Sequence, residues 1–128
     1  MGDPKFIQTA VNSGGIATTA NTNRDGSGTL ATIVTCGAAS GMRIDAIQFH
    51  ATAATTANTL RVFLIKGADK RLIKEITVTA VTPSNTAAAW NNLWIPDPPL
   101  ILENGYSMQF APATAGTYHA SVISGGNL

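Results

Sequence analysis

The sequence predicts an all-β fold, an antiparallel β-sandwich or jelly roll of roughly seven to eight short strands. Short segments rich in β-branched residues recur along the chain, separated by Gly, Asn and Pro residues. Within these segments apolar side chains alternate with polar ones, which is the period of a strand with one buried face. No window of about ten residues or more has a helical period, so a parallel α/β fold is disfavoured.

The chain has 128 residues, the size of one domain, and its 45% hydrophobic content is enough for one core. We divide it into an extended N-terminal arm over residues 1–14 and a single β-sandwich domain over residues 15–128. Within the arm, the side chains of residues 5–11 alternate between two faces, as in an extended segment.

The first half of the domain contains two predicted strands. Residues 12–28 are rich in Gly, Asn, Thr and Ser, with a dense cluster of turn formers over residues 21–28, and are predicted to be a loop or a bent edge. Residues 29–35 are β-branched and bounded by glycine, and residues 42–51 alternate, so both are predicted strands. The Ala/Thr tract over residues 52–59 is predicted to be a long loop, because Thr and Asn are poor helix formers.

The clearest hairpin follows. Its arms are residues 59–66 and 71–79, with a turn over residues 67–70, and both arms alternate apolar and polar side chains. One face of the second arm is mostly apolar, so this sheet is expected to bury one side.

Prolines dominate the segment that follows the two tryptophans. Pro96, Pro98 and Pro99 lack a backbone donor and have a fixed φ, which excludes a helix and a central strand. We therefore expect the chain to cross from one sheet to the other there. Beyond them, an Asn-Gly turn at residues 104–105 predicts a second hairpin, between residues 100–103 and 106–111. A last strand is predicted over residues 116–124.

The charge content limits the classes of partner. Charged residues make up 12% of the chain, about half the typical share, whereas there are seventeen Thr and twenty Ala. A net charge of +1 is too small to attract a polyanion, so no nucleic-acid partner is expected. No apolar run approaches the roughly 20 residues that span a bilayer, and the N-terminus does not have the pattern of a signal peptide. We expect no membrane partner and synthesis in a cytosol.

The loop from Asn21 to Thr29 matches the oxygen-rich first half of a calcium loop. The match is incomplete, because Thr32 replaces the bidentate glutamate and Asp25 is the only carboxylate. A plain Asx-rich turn is the favoured interpretation.

Soft and imidazole ligands are scarce. Cys36, His50 and His119 are the only ones, and they lack the spacing of a zinc site or of a nucleophile and its base. Any pairing of the seven acidic residues is uninformative, since a chain of this length always supplies some pair. We therefore predict no catalytic, cofactor or metal site, and no enzyme.

The tryptophans are the remaining candidates for a binding surface. Trp90 and Trp94 lie four residues apart and so face the same side of a strand, as in a carbohydrate-stacking platform. The favoured alternative is that they fill the core or an oligomer interface. As a partner interface we predict Trp90 and Trp94 together with Phe6 and Ile7 of the arm.

Four segments carry a resemblance to a known family. Residues 21–30, 37–47, 59–64 and 74–84, taken together, resemble a widespread group of small virion proteins of tailed bacteriophages and prophages. The likeness extends from about Thr18 to Gly126 and is one of strand and turn texture, without catalytic motifs.

The resemblance implies a structural protein of the virion, of the capsid decoration (cement) type. It implies a homo-oligomer, a trimer above all, bound to the major capsid protein on the capsid surface and synthesised in the bacterial host cytoplasm. An arm such as residues 5–11 would then add a strand to a neighbour's sheet. The alternative function is a carbohydrate- or receptor-binding module of a tail or head fibre, and a small hydrolase is a third.

Overall fold

The computed structural model of the protein describes residues 7–128, which form ten β-strands. They are β1 (Thr9–Ala10), β2 (Gly14–Ala17), β3 (Ala31–Thr35), β4 (Met42–Ala51), β5 (Asn58–Lys66), β6 (Asp69–Val78), β7 (Asn91–Trp94), β8 (Leu100–Leu102), β9 (Ser107–Pro112) and β10 (Tyr118–Asn127). All pairings between them are antiparallel, and the strands form two sheets. The all-β sandwich prediction is confirmed, with more strands than predicted; the strand order alone does not make it a jelly roll.

Sheet A is built on a long central pair, β4 and β10, each of ten residues. Two short strands complete each of its edges. β1 and β2 pair with the free edge of β10, and β7 and β8 pair with the free edge of β4. These interrupted edges explain why the structure has more strands than the sequence predicts.

Sheet B has the order β3-β9-β5-β6, and it contains the predicted hairpin as β5 and β6. Lys66 pairs with Asp69, so the turn is the two-residue Gly67-Ala68 rather than the four residues expected. Gly67 has a φ of 58°, which suits the tight turns that join twisted strands. The hairpin prediction is confirmed, with a shorter turn.

The core lies between the inner faces of the two sheets. Phe49 of sheet A packs edge-on against Phe110 of sheet B, with ring centroids 5.8 Å apart at 69°. Side chains of both sheets join this contact in one cluster, among them Ile44, Ile47, Tyr118, Leu60, Val62 and Met108. The residues described contain no helix able to cross a membrane.

The second predicted hairpin is wrong. β8 pairs with β4 in sheet A, whereas β9 pairs with β3 and β5 in sheet B. The turn at Asn104-Gly105 does form, with Gly105 at a φ of 95°, but it carries the chain from one sheet to the other. Leu102 before it and Met108 after it both point into the core from opposite layers. The Asn-Gly sequence predicted the turn correctly, but it did not determine which strands β8 and β9 pair with.

The predicted crossing at the prolines is also wrong. β7 and β8 both pair with β4, so residues 95–99 leave and rejoin the same edge of sheet A. Trp94 pairs with Ile47 and Leu100 with Ile44, three positions apart on β4. The prolines interrupt an edge strand, where the missing donors do no harm.

The arm joins the chain's own sheet where the structure describes it. β1 pairs with Gly126 and Asn127 of β10, and the Gln8 N–H donates to the Asn127 carbonyl at 2.7 Å. The strand addition expected with a neighbour is thus made within the chain over residues 8–11.

A covering loop, residues 20–28, lies over the outer face of sheet B. The Asn21 N–H donates to the carbonyl of Pro112 on β9, and Arg24 contacts Glu75 on β6. Between these two anchor points the loop crosses β5, whose outward side chains Phe63 and Ile65 are buried although they lie outside the core cluster. The loop therefore buries the outer side of β5, whereas Glu75 and Thr77 on the outer side of β6 stay exposed.

The close approach of β2 to β3 yields a test of this packing. A Cβ on Gly15 would overlap the backbone carbonyl oxygen of Thr32, so Gly15→Ala must push the two sheets apart. We expect it to lower the free energy of unfolding by about 1–3 kcal/mol, as measured by urea denaturation. Gly37→Ala is the matched control, because no atom lies within 4 Å of its would-be Cβ. Equal stability of the two variants would contradict the packing described.

Candidate functional site

The outer face of sheet A is left uncovered by the described residues. On β4, Gln48 and His50 alternate with the buried Ile47, Phe49 and Ala51 and so project outward. Neighbouring strands place further side chains on the same face by register: Asn91 and Leu93 on β7, Ile101 on β8, His119 and Ser121 on β10, and Ile16 on β2.

Large aliphatic side chains are exposed on this face. Ile16 is 57% exposed, Leu93 47% and Ile101 61%. Ile123, the unpaired residue at the β-bulge of β10, is 52% exposed and follows the inward-facing Val122. Uncharged polar residues lie between them. Desolvation of such a face costs less than desolvation of a charged one, because only the ion pair of Arg43 and Asp45 carries charge there.

Most charged side chains lie on sheet B and its covering loop. The outer face of sheet A carries Arg43 and Asp45, which neutralise each other at 3.0 Å. By register, the outer face of sheet B carries Arg61, Lys70 and Glu75, beside Arg24 and Asp25 of the covering loop. The other charges of the β5–β6 hairpin share the inward side of its strands, toward the turn and the sheet edge: Lys66, Asp69, Arg71 and Lys74. The outer face of sheet B is therefore the more highly charged of the two.

One arginine of sheet B lies beneath the covering loop. The side chain of Arg61 is only 8% exposed and its Nε lies 3.9 Å from the Glu75 carboxylate, which Arg24 also contacts at 3.3 Å. Two cations thus share one carboxylate. This cluster anchors the covering loop to sheet B.

The tryptophans do not form a stacking platform. Trp90 is 7% exposed and packs edge-on against Tyr118 in the core, with centroids 6.0 Å apart at 81°. Trp94 is half-buried between the edge strands β7 and β6, and the Lys74 ammonium lies 5.7 Å from its ring centroid. They do share the inward side of the chain, as their spacing predicts, and of the predicted interface residues Trp90 lies inside the protein.

The arm residues of the predicted interface are described in part. Phe6 lies outside the described residues. Ile7 is half-buried, next to the pairing of β1 with β10. Their role at an interface stays a prediction.

The Asx-rich loop is folded by its own side chains. The Asn21 side chain accepts from the Asn23 N–H and donates to the carbonyls of Ser27 and Thr29. Asp25 accepts from the Ser27 hydroxyl and N–H at 2.6 and 3.0 Å, which lowers the pKa of its carboxyl below the ordinary value. This is the plain turn that the sequence favours.

The three soft or imidazole ligands do not converge. Cys36 is buried in the core, whereas His50 and His119 project from the outer face of sheet A. Within residues 7–128 no three His, Cys, Asp or Glu side chains are grouped to hold a metal ion. The adjacency of the two histidines was missed from sequence, because it depends on the register between residues 69 positions apart in the chain.

Replacement of Trp90 tests whether this residue serves the core or a binding surface. Trp90→Ala removes a buried ring and its contact with Tyr118, so we expect a loss of about 3–5 kcal/mol in the free energy of unfolding, measured in urea. Trp94→Ala, at a half-buried site, serves as the comparison and should cost clearly less. If the Trp90→Ala variant were as stable as the unmodified protein, Trp90 would not be a core residue.

No protein-family model, curated protein or solved structure matches the chain. The difference in charge between the outer faces of the two sheets is the main structural feature that bears on function.

Proposed function

We propose that this protein is a structural component of a phage virion, a capsid decoration protein that binds the assembled shell and stabilises it without chemistry. Its partner is the major capsid protein, and its own form is a homo-oligomer, with a trimer favoured. The outer face of sheet A is the surface that docks on the shell. We infer the partner from the resemblance to small virion proteins, and the mode of binding from the outer face of sheet A.

The observation that carries the proposal is the segregation of charge. A protein that binds to the outside of a shell needs one face that is desolvated at low cost and an opposite face that stays hydrated. The outer face of sheet A presents Ile16, Leu93 and Ile101 among uncharged polar groups, with its one ion pair internally neutralised. Sheet B and its covering loop present charges toward solvent, which keeps the decorated particle soluble.

Multivalency explains how such a face would bind. Scattered aliphatic side chains give each copy a modest affinity, because each exposed side chain contributes only its own buried area. Copies linked in an oligomer and bound to a repeating lattice gain about 10²–10⁴ in avidity without any new contact. The shell would therefore bind the protein much more strongly than a free capsid subunit does.

The carbohydrate-binding alternative has weaker support. It needs exposed rings for stacking, and Trp90 is buried while Lys74 covers Trp94. Tyr118 and the phenylalanines within residues 7–128 are buried as well. No observation favours a glycan over a protein surface as the partner.

Sedimentation with capsids tests the proposal directly. The protein is mixed with assembled shells of the phage that encodes it, and separately with unassembled capsid subunits. We expect it to sediment with the shells and to stay unbound by the subunits, because only the lattice offers many sites at once. A mass measurement in solution gives the number of chains in the oligomer. Equal binding to both forms of the capsid protein would overturn the proposal.

A charge placed on the docking face should abolish binding and spare the fold. Leu93→Asp and Ile101→Asp each bury an unpaired carboxylate at the interface, so we expect at least about a tenfold loss of affinity for shells. Thr77→Asp, on an exposed position of edge strand β6 in sheet B, is the matched control and should bind normally. If Thr77→Asp alone weakened binding, the docking face would lie on sheet B.

A further inference from the structure

The two histidines of the chain lie side by side. His50 on β4 and His119 on β10 are direct partners in the antiparallel register of the central pair of sheet A. Both project outward, because the residues on either side of each one are buried. Asn91 of β7 continues the row beyond His50, and Ile16 of β2 continues it beyond His119.

The spacing of directly opposed residues suits chelation. Their Cβ atoms lie about 4.5–5.5 Å apart in an antiparallel pair. Two nitrogens on one tetrahedral zinc ion, at bonds of about 2.0–2.1 Å, are about 3.3 Å apart. Imidazole rings on adjacent strands need only lean toward each other to reach that separation.

The tautomer of His50 is set for binding a metal. Its Nδ1 lies 2.6 Å from the carbonyl oxygen of Ala51, so Nδ1–H donates to that carbonyl. The lone pair is then on Nε2, at the far side of the ring. A backbone carbonyl that accepts from the second ring nitrogen is a common way of orienting a ligating histidine.

We propose that His50 and His119 form a bidentate surface site for a borderline divalent metal ion, with Zn²⁺ as the reference ion. Imidazole suits zinc, copper and nickel, and water fills the positions that the two side chains leave open. Asn91 lies beside the site, and its Nδ2 donates to the Ala89 carbonyl. The site lies on the proposed docking face, but it does not rest on the capsid role and is tested without a capsid.

Chelation makes two ligands sufficient for measurable affinity. Once one imidazole holds the ion, the second binds it at a high effective concentration, which is worth about 10²–10⁴ in affinity. The nearest charges on this face, Arg43 and Asp45, neutralise each other and lie toward the opposite end of β4. Among the described residues of this face, Arg43 is the only cation, and Asp45 neutralises it. Cys36 is buried and does not compete for the ion.

Zinc titration of the full chain tests the site. The ring resonances of both histidines are followed by NMR while Zn²⁺ is added, and calorimetry gives the stoichiometry. We expect one ion per chain, with both rings shifting together at one midpoint. Separate midpoints for the two rings, a shift of only one ring, or one ion per two chains would overturn the proposal.

Single substitutions separate chelation from ordinary surface binding. His50→Asn and His119→Asn should each weaken Zn²⁺ binding about 100-fold, since either one leaves a single imidazole. Gln48→Ala, two residues from His50 on the same strand and face, is the matched control and should bind Zn²⁺ as the unmodified protein does. If either histidine variant kept the original affinity, the pair would not be the site. Urea denaturation confirms that all three variants fold.

Discussion

Sheet A depends on the register between β4 and β10, because this pair is ten residues long and both edges of the sheet are built on it. In this register Phe49 and Ala120 face the core, while His50 and His119 face outward. A slip of either strand by one residue would exchange the two faces of that strand and bury its imidazole. Burial of unpaired polar groups would cost several kcal/mol, and exposure of the aromatic rings would add to that cost. The composition of the outer face therefore follows from one strand pairing.

The same pairing relates the docking face to the rest of the molecule. Sheet B is covered on its outer side by the loop that Asn21 and Arg24 anchor, so its charges are carried by the hairpin and by that loop. Sheet A has no such cover within the described residues. The loop thus covers part of the outer side of sheet B, whereas the described outer side of sheet A stays open, and the proposed function places the docking surface there.

Local signals in the sequence predicted local structure well. The β5–β6 hairpin was predictable because its turn and both alternating arms are contiguous in the chain. The partners of β8 and β9 were not, since an Asn-Gly turn fixes a bend and leaves the choice of sheet to packing across the core. The prolines likewise mark an interruption without telling whether the chain changes sheets. The core position of Trp90 was the favoured interpretation of its sequence, whereas the His50–His119 pair depends on long-range register, which a single sequence does not contain.

The place of β10 in sheet A also bears on how the chain folds. β10 is the last strand in the chain, yet it pairs with β1, β2 and β4, which all come early. Loops of about seventy residues or more must close before these pairings stabilise anything, and such closure slows folding. The β5–β6 hairpin needs only a two-residue turn and can form independently of them. Because the hairpin is local and the central pair of sheet A is not, we expect sheet A to form later than the β5–β6 hairpin during folding.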